Sequence, residues 1–284
     1  MSADSAAEPD EGPTEDELQR VCEELGKSWY SVFENLTNLE LGREDQELDP
    51  HRFLIVYAYA AHAQKLTVSA CHHLVDLDYA VAGPLLRVAY ESALTAVWAA
   101  ESEEAARAIH YALVKASGKL RGSALKTSWF DDVLDLIPEP DPAPEDTAPR
   151  ARGEATTFFK LCESLEPDSE WLYMQFRLLS AYAHPSGEVI KMFVDGEAPT
   201  ISRNPVAASS GVRRALWSAA AHNMLFAGQA LDRLDPSARR RDALERAGAS
   251  IGWDEPLRLS ESAKRAVQDA RAAREAAASE RPSG

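Results

Sequence analysis

Cysteine is scarce in these 284 residues. Cys22, Cys71 and Cys162 are odd in number, widely spaced and free of any Cys-x-x-Cys pair, which argues against both a disulfide framework and a structural zinc site. Basic charge is also short: 30 Lys and Arg stand against 46 Asp and Glu, a net charge of −16 that opposes non-specific binding to nucleic acid. Long apolar runs are missing. His62, Lys65, His72 and His73 interrupt the best stretch before it reaches the ~18 apolar residues of a membrane span, so no membrane association is expected. The N-terminus has neither a basic region nor an apolar stretch and reads as a disordered acidic leader over 1–13, not a signal peptide. Together with the unpaired cysteines, this predicts a reducing, cytoplasmic setting. Strand-type alternation is nearly absent, which excludes the β classes.

What is present is helical periodicity, and it predicts an all-α fold: a single bundle of about six to seven helices over 14–236, followed by a flexible, partly helical Ala/Arg-rich tail over 237–284. Thr14 with Glu17 forms a capping box opening a helix to about position 41. Asp49-Pro50 starts a long helix, Gly83-Pro84 starts or kinks the next, and Ser102 with nearby acids caps a fourth. Five prolines make 138–150 an extended loop. A short helix near 158–165 and a helix ending at Pro185 follow. An irregular stretch over 189–202 then carries a hairpin near Asp195-Gly196, and a long helix runs from Pro205 to about Asp235. The acids concentrate in 1–17 and 138–154, which together supply ten of the sixteen net charges, so the folded part is only mildly acidic.

Two helices carry candidate chemistry. Arg177 and His184 are seven residues apart, and at ~100° per residue their side chains project within ~20° of each other, two turns apart. Tyr173 and Ser180 lie on the same stripe, whereas Trp171, Leu172, Phe176, Leu178, Leu179 and Tyr182 offer a packing face. The segment 84–100 is apolar nearly all round, and its only charges are Arg87 and Glu91, an i,i+4 pair that is expensive to bury for stability alone. It either fixes helix register or joins Arg177 and His184 in a functional cluster. A basic run, Lys115, Lys119 and Arg121, offers a place for phosphate or RNA, without the glycine spacing of a P-loop. Asp131, Asp132 and Asp135 have an aspartate-rich spacing suited to magnesium and diphosphate, but no second metal motif accompanies them. His62 and His73 share a helix face without a metal-binding pattern. No cofactor or metal is called for.

The order of Leu85-Leu86-Arg87 with Glu91, then the helix from Ser102 to Tyr111, then Ser180-Ala181-Tyr182-Ala183-His184-Pro185, resembles an uncharacterised all-helical bacterial domain family over roughly 50–235. The Arg177/His184 spacing is similar also to that of HEPN ribonucleases and toxins, although Leu178 stands where a polar Asn often follows the arginine. That resemblance implies a metal-independent ribonuclease or a toxin and defence effector acting on RNA or another phosphate-bearing ligand, with a site that a homodimer would complete. Two alternatives stand beside it: a non-catalytic helical binding or scaffold protein with a structural polar core, and a metal- or diphosphate-dependent helical enzyme.

Overall fold

A computed structural model of the protein describes residues 12–31, 50–124, 126, 147–195, 200–201, 209–235 and 239–279. The chain is all-α. Its long helices are α1 (Glu15–Ser31), α2 (Pro50–Val75), α3 (Tyr79–Glu101) and α4 (Ala105–Ala124) in the first half. The second half brings the short α5 (Pro149–Thr156) and α6 (Phe158–Glu163), then α7 (Ser169–Ala183), α8 (Gly187–Phe193), α9 (Ser210–Asp232), α10 (Arg241–Ser250) and α11 (Glu261–Ser279). Seven of these helices, among the described residues, have at least 15 residues. Two-residue strands form two antiparallel pairs: β1 (Leu165–Glu166) with β4 (Arg258–Leu259), and β2 (Val194–Asp195) with β3 (Thr200–Ile201).

The centre of the bundle is α2, α3 and α9, which contact one another most extensively, with α1 laid on α9 and α7 on α3. The apolar character of α3 has its reason here: Tyr90, Leu94 and Trp98 are fully buried, each burial worth roughly 1.5–3 kcal/mol. Two enclosed amides tie the three helices together. Gln64 Nε2 donates to the Met224 carbonyl at 3.0 Å and Asn223 Nδ2 to the Leu86 carbonyl at 3.1 Å, linking α2 to α9 and α9 to α3. The capping box of α1 is formed, with Thr14 N donating to Glu17 Oε2 at 2.8 Å and Glu17 N to Thr14 Oγ1 at 3.3 Å. The three cysteines are free, but α1 and α2 bring Cys22 and Cys71 together, and the contact with the Cys71 thiol, with burial, pushes the Cys22 thiol well up.

Some local expectations are corrected. Of the two roles read for Gly83-Pro84, starting or kinking the helix, the first is excluded: Pro84 lies inside α3, where its missing N–H removes one bond of the ladder close to the helix start. The proline-rich loop ends before Pro149, because a proline at the first helical position has the right φ and no hydrogen bond to lose; Pro149 and Arg150 open α5. Within 189–202, α8 is helical: Ser186 is its N-cap residue, Glu188 sits in its first turn, and Glu188 pairs with Lys191. The long α9 begins at Ser210, where Ser209 Oγ accepts from Val212 N; Pro205, the expected start, lies outside the described residues. The acidic leader up to position 11, the end of the first expected helix, the Asp131/Asp132/Asp135 cluster and Gly196 lie outside the described residues. Among the described residues no helix is long and apolar enough to cross a membrane.

Candidate functional site

The helix carrying Arg177 and His184 is fixed at both ends. Asp168 caps its start in a left-handed conformation that Asp tolerates, its carboxylate accepting from Trp171 N at 3.2 Å. Just before it, β1 pairs with β4, and Arg258 Nε meets Glu166 Oε1 at 3.1 Å. Along its length α7 packs on α3, burying Leu172, Gln175 and Leu179, while Tyr90 donates its hydroxyl to the Leu172 carbonyl at 2.9 Å. Leu178, expected on the packing face, is 39% exposed. The closest approach is at Gly83: a Cβ there would stand 2.5 Å from Tyr182 Cβ. Only a glycine lets the two backbones come so near, and one turn on from it Arg87 reaches α7.

Arg87 is the hub. Its Nε donates to Ser180 Oγ at 2.9 Å, and Nη1 and Nη2 donate to Glu91 Oε2 and Oε1 at 3.1 and 3.4 Å, a fork-shaped pairing. The guanidinium carbon lies 4.8 Å from the centre of the Phe176 ring, a contact between two residues that sequence spacing left on unrelated faces. Ser180 in turn donates to the Phe176 carbonyl at 2.8 Å, so its hydroxyl proton is committed. Glu91 is half-buried, and burial raises its carboxyl above the usual range against the opposing pull of Arg87 and then His184. His184 is therefore close enough to Glu91 to act on its charge.

The stripe read from the sequence reaches the helix end. Helical geometry stops at Ala183, and His184 is the C-cap, with extended φ and ψ, its backbone N–H donating to the Ser180 carbonyl at 3.2 Å. Its side chain is exposed. Arg177 is also exposed, two turns earlier, and among the described residues has no hydrogen-bond or ion-pair partner. Tyr173 is part of the packing, its ring against Phe159 and Phe176 at 4.8 and 5.9 Å. Lys115 and Lys119 line a separate hollow with Thr95 and Trp98, to which no residue of α7 contributes, and Arg121 is half-buried in the last turn of α4. The sequence signal for the wider arrangement was the recurrence of polar residues four apart on α3, Arg87, Glu91 and Thr95; Thr95 Oγ1 donates back to the Glu91 carbonyl at 2.7 Å.

His62 and His73 do not meet. His62 Nδ1 lies 3.0 Å from Ser92 Oγ, and His73 Nδ1 lies 3.5 Å from Asp78 Oδ2. Among the described residues no three His, Cys, Asp or Glu side chains group as a metal ligand set. The corner offers the Glu91 carboxylate held by Arg87, the exposed His184 imidazole whose charge acts on it, and a second, free guanidinium, Arg177, earlier on the same helix. Such a set can move a proton at a reacting oxygen and hold an anion, the two requirements of phosphodiester transfer without a metal. No known protein family, curated protein or solved structure matches the chain.

Proposed function

We propose that the chain is a HEPN-like, metal-independent ribonuclease, a toxin or defence effector, working at the α3/α7 corner. The observation that carries the reading is that Arg87 holds Glu91 in a fork and reaches Ser180, one turn before the exposed His184 whose charge acts on Glu91, while Arg177 stays unpaired on the same helix. In this reading His184 takes the proton of a ribose 2′-hydroxyl as that oxygen bonds to the adjacent phosphorus. The phosphorus–O5′ bond breaks, the departing oxygen takes a proton from water, and a 2′,3′-cyclic phosphate is left. Arg177 faces the charge developing on the phosphate oxygens. Glu91 orients the imidazole, and Arg87, whose donors are engaged by Glu91 and Ser180, positions Glu91 and does not touch the substrate.

The test is cleavage of single-stranded RNA by the purified full chain in the presence of EDTA, followed by end-group analysis. His184→Ala is expected to lower the rate by roughly 100-fold or more and Arg177→Ala by a comparable factor, with unchanged circular dichroism. Absence of cleavage by the wild type, or rates that neither substitution changes, would overturn the reading. A second reading has its own observation: the closed Arg87/Glu91/Ser180 network over Phe176 is also what a structural polar clamp between helices looks like. A non-catalytic scaffold predicts that Arg87→Ala lowers the melting temperature while the wild type has no cleavage to lose.

A further inference from the structure

Between α4, α5 and the second half of α3 lies a cavity of about 450 Å³, within the size range of small-molecule sites. Its surface is mainly apolar: Ala112, Leu113 and Ala116 from α4, Ala155 from α5, and Ile109 and Leu161 deeper in. Two cations, Lys115 and Lys119, stand one turn apart at its edge, and among the described residues no acidic one lines it. Both lysines are exposed, and among the described residues neither has a carboxylate partner; the Lys115 ammonium lies 5.8 Å from the centre of the Tyr111 ring.

The other polar atoms facing the cavity narrow the chemistry. Thr95 Oγ1 donates to the Glu91 carbonyl and Thr156 Oγ1 to the Arg152 carbonyl, both at 2.7 Å, so these hydroxyls offer only lone pairs. Trp98 Nε1 is already engaged by Glu154 Oε2 at 3.0 Å. Among the described residues the donors left over are the two ammonium groups and the Tyr59 hydroxyl. A sugar or nucleobase would leave many of its own polar groups without partners on such walls, whereas an apolar body would not. We infer that this cavity binds a small organic acid with an apolar body, its carboxylate between Lys115 and Lys119 and its hydrocarbon part against Ala112, Ala116 and Ala155. The inference stands independently of the ribonuclease reading, because it uses no residue of α7.

Calorimetric titration of the full chain with decanoate, 1-naphthoate and decanol tests it, the two acids separating an aliphatic from an aromatic body. Saturable binding of at least one acid is expected. The Lys115→Ala/Lys119→Ala double variant should weaken it roughly 10-fold or more, the scale of one lost charge-assisted hydrogen bond. Both positions are exposed on α4, so the fold is expected to survive, as circular dichroism would check. Ala116→Phe, which fills the trough from another exposed helical position, should abolish binding. No saturable binding of either acid, decanol binding as tightly as decanoate, or acid binding that both variants leave unchanged would overturn it.

Discussion

His222 is a titratable side chain buried among aromatic rings. The rings of Trp171, Trp253 and Phe226 surround it at centroid distances of 4.7, 5.5 and 5.6 Å, and its Nδ1 donates to the Ser218 carbonyl at 2.7 Å. Burial pushes its pKa down from 6.5 to about 4, with the Ser218 bond opposing. The unfolded chain therefore binds a proton near pH 6.5 that the folded chain refuses until about pH 4. Stability must fall as pH drops through that window, by about 3 kcal/mol in all, and the loss from this group levels off below it. Glu91 and Glu154 work in the opposite direction: burial raises both carboxyls, so what they contribute is present at low pH and is lost as pH rises through their folded pKa values. The His222→Phe variant separates these effects. Its urea stability should lose about 3 kcal/mol less than the wild type between pH 6.5 and 4; parallel curves would exclude His222 as the source.

At the scale of elements, the contact between α3 and α7 sets the candidate site. Gly83→Ala would gain roughly 1 kcal/mol of helix propensity but must displace the Tyr182 stem, which has no flexible end to yield, since the nearest atom is its Cβ. A net loss of about 1–3 kcal/mol in urea unfolding is expected, with Arg87 and Ser180 drawn apart. A neutral or stabilising Gly83→Ala would mean that the helices separate freely. This contact also marks how far the sequence could be read. The capping box of Thr14 and Glu17, the buried α3 and the i,i+4 fork of Arg87 and Glu91 follow from local spacing, and all are visible in it. The meeting of Arg87 with Ser180 and Phe176 is not, because it joins positions 93 apart through a close approach that only the packed helices define. Nor could spacing alone say that His184 is the C-cap, since that depends on where the helix ends. Pro185 located the end to within a residue, and His184 is the extended C-cap and not a helical residue. The helix α5 escaped for the converse reason: prolines that disfavour helix interiors are welcome at its first position.

For the molecule as a whole, the last helix is held by charge more than by apolar surface. Ala263 is buried and Val267 packs on the core, but Arg274 forms an ion pair with Glu104, which is only 1% exposed, and Arg271 lies 3.7 Å from Glu103. Arg150 Nη1 adds a bond to the Ser262 carbonyl at 3.0 Å. Removing Arg274 leaves an enclosed carboxylate without its cation, so Arg274→Ala is expected to destabilise by about 3–5 kcal/mol. Adding Glu104→Gln should restore much of that loss, because the stranded charge is then gone. If the single variant matched the wild type in thermal unfolding, α11 would not depend on this pair.

The β1/β4 pairing has a consequence in time. Glu166 and Arg258, 92 positions apart, meet directly in front of the helix that bears Arg177 and His184. During synthesis α7 leaves the ribosome long before the segment that braces it, so the corner formed with α3 stays without its brace until residues 258–259 have cleared the exit tunnel. A chain that performs chemistry at this corner would thus be inert as a nascent polypeptide until that segment is free to pair.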